Sequence, residues 1–497
     1  MRRLLLFVGV GSLAFSLACG GGSSNGGGFG SGGGTGSFSN ASLSGQYTYQ
    51  LKGYSLSSQS PFREAGVFTA DGSGHLTNLV DDIAGGGSAS TASTTGSYQI
   101  NPEGSGTLTM NFSSGNATFE VTLSSSSQLY LVEIDSSLTG VASSGMAQKQ
   151  DASAFANPPS GTFIFRIHTL TNPQTALNPT STVGAFTVSG GNITSGNMDS
   201  QHFNGPSSST VTGSFNGPDT TGRGTGTLTD TSNGTLAFNY YVIDANHLVL
   251  FSIQPAIIGI GVAEKQTGSP FTNASFSGPY AFGSSGDTST FFEQTNTAGQ
   301  FNADGTGNIT AGVLDNVTDG TPATTTTGLP FTGTYQVAAN GRVNVTLNAN
   351  AGSIQQVYWL VSPNRAFFVT DSPNSVEDGS LDSQVGTFTN ASLNGLYAYE
   401  MDGFDSSLNN TKERLGVMNA NGNGSLSVGQ IANAAGTVSN TTTPLTGSYS
   451  VGTNGRVTAS VNNLSNNLVF YLISGSKGYI LQNDTGVSIG GTMIKQP

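Results

Sequence analysis

The chain has 497 residues with 71 glycines and one cysteine, a formal net charge of −13, and only 9% charged residues. Its acidic balance excludes a nucleic-acid partner, because a polyphosphate needs a clustered basic face and the 15 Lys and Arg are spread along the whole chain. A single cysteine excludes disulfide staples, so each folded unit must hold itself with a packed core.

Residues 1–18 read as an export signal, with Arg2 and Arg3 as the basic region, Leu4 to Leu17 as the apolar stretch and Ala18 as the small residue before the cut. The apolar stretch is shorter than the roughly 20 residues of a spanning helix. Cys19 follows at once, and then Gly20, Gly21 and Gly22. The run Ser16-Leu17-Ala18-Cys19 resembles the lipobox of bacterial lipoproteins, with Ser16 standing where that family usually has leucine. The resemblance implies acylation of Cys19, membrane lipid as partner through an N-terminal acyl anchor, and residence in the bacterial outer membrane or at the cell surface. Residues 19–37 then form a Gly/Ser tether that cannot bury enough apolar surface to fold.

The pattern F-[ST]-N-A-S-[LF]-[SN]-G-x-Y starts at Phe38, Phe271 and Phe388, and a degraded copy starts at Phe155. Each copy ends on a glutamine, Gln150, Gln266, Gln384 or Gln496. Four homologous domains follow, at 38–152, 153–268, 269–386 and 387–497, and a period this long suggests beads on a string, since solenoid repeats run about 20–50 residues.

Within a copy, runs of five to ten residues with period-two apolar alternation are separated by Gly- and Asn-rich turns. In the first copy the predicted strands are 46–52, 66–70, 75–82, 96–100, 106–112, 118–123, 128–134 and 141–150. Tyr47, Tyr49 and Leu51 share the inner face of the first strand, matched by Phe163, Phe165 and Ile167, by Tyr280 and Phe282, and by Tyr397, Tyr399 and Met401. Runs apolar on both faces, such as Val357 to Val361 and Leu468 to Leu472, must be central or covered by a neighbouring domain. The fold class is all-β, with eight strands per copy most readily closing into a small up-and-down barrel; an immunoglobulin-like sandwich is the alternative. The architecture is similar to avidin and lipocalin barrels by analogy only.

Two recurrent charges stand out as a possible binding pair. Asp82, Asp199 and Asp315 end the third strand, where the fourth copy has Ala432; Arg223, Arg342 and Arg456 follow a glycine near the fifth strand, where the first copy has Ser105. Only the second and third copies hold both, so the sequence favours an Asx turn and an exposed arginine over a site. Asp81 and Asp82 are adjacent and face opposite ways. The turns Asp71-Gly-Ser-Gly74, Asp304-Gly-Thr-Gly307 and Asn421-Gly-Asn-Gly424 read as hairpin turns and not as calcium loops, for lack of further carboxylates. His75, His168, His202 and His247 recur at no equivalent place. The sequons at Asn273 and Asn390 follow from Asn and Ser richness. No metal site, cofactor or catalytic constellation is expected.

The expected function is that of an exported, membrane-anchored surface protein with a structural or adhesive role, because repetition multiplies weak contacts with a cell-surface or glycan partner. An array of ligand- or glycan-binding barrels is the alternative, and a hydrolase with a hidden site the third.

Overall fold

The computed structural model describes residues 37–497, apart from loop residues 58–59, 86–87, 113–114, 172–177, 232–233, 255–256, 289–293, 321–322, 351, 373–374 and 465. Ala18, Cys19 and the tether up to residue 36 lie outside the described residues.

The protein is all-β: four antiparallel barrels, each an eight-stranded meander closed on itself. In the first barrel the strands are Ser44–Ser55, Pro61–Asp71, His75–Gly85, Ser88–Ile100, Ser105–Phe112, Gly115–Ser125, Gln128–Glu133 and Val141–Lys149. The first and last pair to close it, with Tyr47 opposite Lys149. The second barrel runs from Gly161 to Lys265, the third from Ser277 to Ser383 and the fourth from Asn394 to Lys495. In the fourth, the fourth strand is broken into Thr437–Asn440 and Leu445–Val451. A sandwich would leave two open sheets, whereas every sheet here has lost its edges by closure.

Period-two alternation fills each barrel. Tyr47, Tyr49 and Leu51 are at most 1% exposed and point inward against Phe68. In the third barrel Phe282 packs its ring about 6 Å from those of Phe301, Phe331 and Phe368.

The repeated N-A-S signature is a plug. Asn40, Asn273 and Asn390 each begin a single 3-10 turn, and their side-chain oxygens accept the backbone N–H of Ile100, Val337 and Val451 at 2.8–2.9 Å. The residue after the turn, Leu43, Phe276 or Leu393, drops into the barrel, and its carbonyl accepts the hydroxyl of Tyr98, Tyr335 or Tyr449 at 2.7 Å. The sequon asparagines therefore serve the fold.

The copies are not separate beads, which corrects the expectation from the repeat length. The outer face of the first three strands of each barrel carries small apolar residues, and it packs against large ones on the sixth and seventh strands of the next. Ala65 and Val67 meet Tyr241 and Phe251; Val183 and Ala185 meet Trp359 and Phe367; Ala281 and Ala298 meet Tyr471 and Tyr479. The same surfaces then join the ends of the chain, with Leu415, Val417 and Ile431 of the fourth barrel against Tyr130 and Val132 of the first. Head-to-tail contacts whose rotation closes make a ring, here of four barrels. The doubly apolar runs at Val357–Val361 and Leu468–Leu472 are explained by it: one face fills a barrel and the other fills an interface.

The terminal glutamines lock each step. Gln150 Nε2 donates to the Val242 carbonyl of the next barrel, Gln266 Nε2 to Leu360 and Gln384 Nε2 to Leu472, at 2.6–2.8 Å. Gln496 Nε2 closes the ring on Leu123 and Glu103 of the first barrel, at 2.7 and 2.9 Å. Each amide lies against a glycine of positive φ, Gly222, Gly341, Gly455 or Gly104, where a Cβ would come within 2.6–2.7 Å of it. Only glycine fits both the conformation and the space.

Candidate functional site at the ring axis

The recurrent Asp and Arg are brought together, but between copies. Asp82 of the first barrel accepts Nε and Nη2 of Arg223 in the second, at 2.7 and 3.0 Å. Asp199 takes the same fork from Arg342 of the third barrel at 2.8 and 2.7 Å, and Asp315 from Arg456 of the fourth at 2.7 Å twice. A buried aromatic donor of the same partner barrel completes each set: the Tyr241 hydroxyl on Asp82, Trp359 Nε1 on Asp199 at 2.8 Å, and the Tyr471 hydroxyl on Asp315 at 2.5 Å. This replaces the expected Asx turn with an exposed arginine; the aspartates are at most 5% exposed and the arginine side chains 18–29%. Burial pulls the Arg223 guanidinium down, and Asp82 outweighs it and holds it above its ordinary value. Hydrogen bonding to Asp315 raises Arg456 likewise. Asp81 faces the interior and accepts the Tyr49 hydroxyl at 2.8 Å.

In contrast, Asp71, Asp304 and Asn421 do form Asx turns. Asp304 accepts the N–H of Thr306, Gly307 and Asn308, and its side-chain hydrogen bonds hold its carboxyl below the usual range.

Where the four first strands meet, the ring encloses a cavity of about 310 Å³. Outward positions on those strands point into it with period two, and their charges differ by barrel. The first barrel brings Lys52 and, from its second strand, Arg63; the second brings Arg166 and His168; the third Asp287 and, from its eighth strand, Asp378; the fourth Glu400, Asp402 and, from its second strand, Glu413. The axis is thus cationic on one half and anionic on the other. Most of these charges are paired across interfaces. Arg166 meets Asp378 at 2.9 Å, and His168 bridges Asp287 at 2.9 Å and Asp378 at 3.1 Å. Burial opposes protonation of His168, but the two aspartates prevail and raise it to about 9. Lys52 meets Asp402 at 2.8 Å across the seam between the first and fourth barrels. Burial, with Asp402 second, raises Glu400 to about 8, and its Oε1 accepts the Ser144 hydroxyl at 2.7 Å. Glu413 is 2% exposed, and burial together with Asp402, Glu133 and Glu400 holds its carboxyl well above the usual range.

These axial residues escaped the sequence reading, His168 excepted, which was noted only as an unrepeated histidine. Their signal is the polar phase of the first strand, opposite the aromatic phase used for the core: Gln50 and Lys52, Arg166 and His168, Glu400 and Asp402 occupy equivalent positions. Among the described residues no group of three or more His, Asp or Glu side chains is arranged to hold a metal ion.

No protein-family description matches the chain, and no curated protein sequence does. Among solved structures it is similar to a tryptophan-to-alanine mutant of transferrin binding protein B from Haemophilus parasuis, at 9% identity and TM-score 0.21, covering 68% of this chain and 76% of that one. A double mutant of the same protein gives 10% identity and TM-score 0.18, covering 74% and 82%. Intact Ap-TbpB, with its N and C lobes, gives 11% identity and TM-score 0.17, covering 76% and 86%. At these TM-scores the likeness carries no argument about function.

Proposed function

We propose that the chain is an exported, lipid-anchored surface protein with a structural or adhesive role, and that its working unit is the whole ring. The observation that carries this reading is how the residues are spent. Each barrel interior is filled by its own aromatic core, and the doubly apolar strands are used on neighbouring barrels, so a partner meets the outer rim of one rigid body. Filled interiors also remove the ground for a row of barrel cups as ligand sites. The Cys19 anchor and the tether would hold the ring on the order of 25 Å from the membrane. Metabolic labelling with a fatty-acid analogue should tag the wild-type chain and spare Cys19→Ala, and cells carrying that variant should lose the ring from their surface and with it any contact it mediates. A variant that stays labelled, or cells whose contacts are unchanged when the ring is shed, would sink the reading.

A further inference from the structure

Among the described residues that line the axial cavity are a cation and a carboxyl with bonding capacity left over. Arg63 is 6% exposed, and only its Nη1 is bonded, to the backbone carbonyls of Phe62 and Gly53 at 2.8 and 3.4 Å. Among the described residues no carboxylate pairs with it, so Nε and Nη2, the edge that a carboxylate would grip, are unspent. Glu413 lies beside Thr411 in the same lining, and its Oε2 is buried with no hydrogen-bond donor among the described residues. Leaving such an oxygen unsatisfied costs stability in a fold that satisfies its polar groups elsewhere. The two groups occupy equivalent positions in their barrels. Arg63 is in register with Lys52, Glu413 is in register with Asp402, and Lys52 and Asp402 form the bridge across the seam. Arg63 and Glu413 therefore flank that bridge on its two sides, each about one strand spacing of 4.8 Å beyond it.

We infer that the axial cavity is a binding site for a small zwitterion of the amino-acid or short-peptide class, its carboxylate held by Arg63 and its ammonium by Glu413. A ligand of one sign would satisfy one of these groups and be repelled by the other. The cation at Glu413 is an ammonium and not a metal ion, because the described carboxylates do not converge as metal ligands do. The cavity volume is at the lower end of small-molecule sites, which run from about 300 Å³. The reading goes beyond the surface role above and does not depend on the anchor.

The test uses the full chain, extracted in mild detergent, with four probes at equal millimolar concentration: a pool of the free L-amino acids with triglycine, sodium acetate, methylammonium chloride and glucose. The zwitterion pool should raise the melting midpoint by several degrees while the other three leave it unchanged, as mass action on the folded state requires. Arg63→Gln and Glu413→Gln should each lose the response. Calorimetry of the wild-type chain should register saturable heat with the zwitterion pool and none with acetate, methylammonium or glucose, a readout that needs no variant to fold. No response to the pool, an equal response to acetate or to glucose, or variants that still respond would each overturn the assignment.

Discussion

Three of the four interfaces in the ring are crossed by the chain itself and carry the Asp–Arg–aromatic set; the fourth, between the last barrel and the first, has neither. At that seam the aspartate position holds Ala432, the arginine position Ser105 and the aromatic position Thr122. All three members are missing from one place in space, although they lie at opposite ends of the chain. Bulk is exchanged as well. Where the other barrels present Ala65, Val183 and Ala298, the fourth presents Leu415, which packs with Tyr130 and Val132 of a barrel that has Thr122 at the position of Tyr241, Trp359 and Tyr471. The seam uses different polar contacts: Asn433 donates to the Glu133 carbonyl at 2.9 Å, Tyr130 and Thr492 share a hydrogen bond at 2.9 Å, and Lys52 meets Asp402. A buried ion pair cannot be half kept, because either partner alone is an uncompensated buried charge, so its members vanish together.

The largest effect should come from inside a barrel and mark the scale for the rest. Phe282→Ala, at a 4% exposed ring among three other aromatics, should cost about 3–5 kcal/mol by urea unfolding. A loss below about 1 kcal/mol would mean an interior that is not packed.

Next in size is the pH response of the seam. Glu120 is 1% exposed on the face that meets the fourth barrel, its Oε1 lacks a donor, and burial, with Glu103 second, raises it from 4.5 to about 8. The folded chain keeps this proton where the unfolded chain has lost it. The stability Glu120 contributes is therefore full below pH 4.5 and declines as pH rises to about 8, by on the order of 3 kcal/mol. Glu400, also raised to about 8 on the other side of the seam, acts with the same sign. Glu120→Gln should make this part of the profile shallower, leaving the share of Glu400 and the later loss through about pH 9 as His168 deprotonates between the second and third barrels. An unchanged slope in the variant would remove Glu120 as its source.

Arg456→Ala should cost about 2–3 kcal/mol, less than a fully buried pair because its side chain is 18% exposed. Asp315→Ala in the same chain should recover much of that, since it recreates what the seam has at Ala432 and Ser105. A double variant as unstable as the sum of the two singles would show that the pair is uncoupled.

The barrels were legible because their chemistry is local. Alternation of Tyr47, Tyr49 and Leu51, and turn residues such as Gly72 and Gly305, specify strand and face within a few residues. The first copy's predicted strands fall within the observed ones to a residue at their ends, and the structure lengthens several. The ring was not legible, because its contacts join residues about 140 positions apart, such as Asp82 and Arg223, and the search for a site looked for both partners in one copy. The doubly apolar strands did signal covered faces, without saying by what. The axis was hidden for a further reason: Lys52, Arg166 and Glu400 differ in charge from copy to copy, so a reading that trusts recurrence passes over them. In a pseudo-symmetric ring the function-bearing positions are those where equivalent residues differ.

The smallest expected effect separates the seam from the other interfaces most directly. Gln384→Ala and Gln496→Ala each remove one amide that donates to two carbonyls of the next barrel, Leu472 and Asn454 in one case, Leu123 and Glu103 in the other. Each should cost about 1–2 kcal/mol, the ordinary worth of such hydrogen bonds once the abandoned carbonyls are counted. The consequences should differ. At Gln384 the linker and the Asp315–Arg456 pair still hold the third and fourth barrels together, so unfolding should stay a single cooperative step. At Gln496 nothing covalent spans the contact, and the loss should appear as faster amide exchange in Gly115–Ser125 and Asn410–Asn421, the strands that face each other there, with the other interfaces protected as before. Equal exchange in both variants would mean that the seam is as firm as the rest of the ring, and that bonded linkers and ion pairs do not set where it opens.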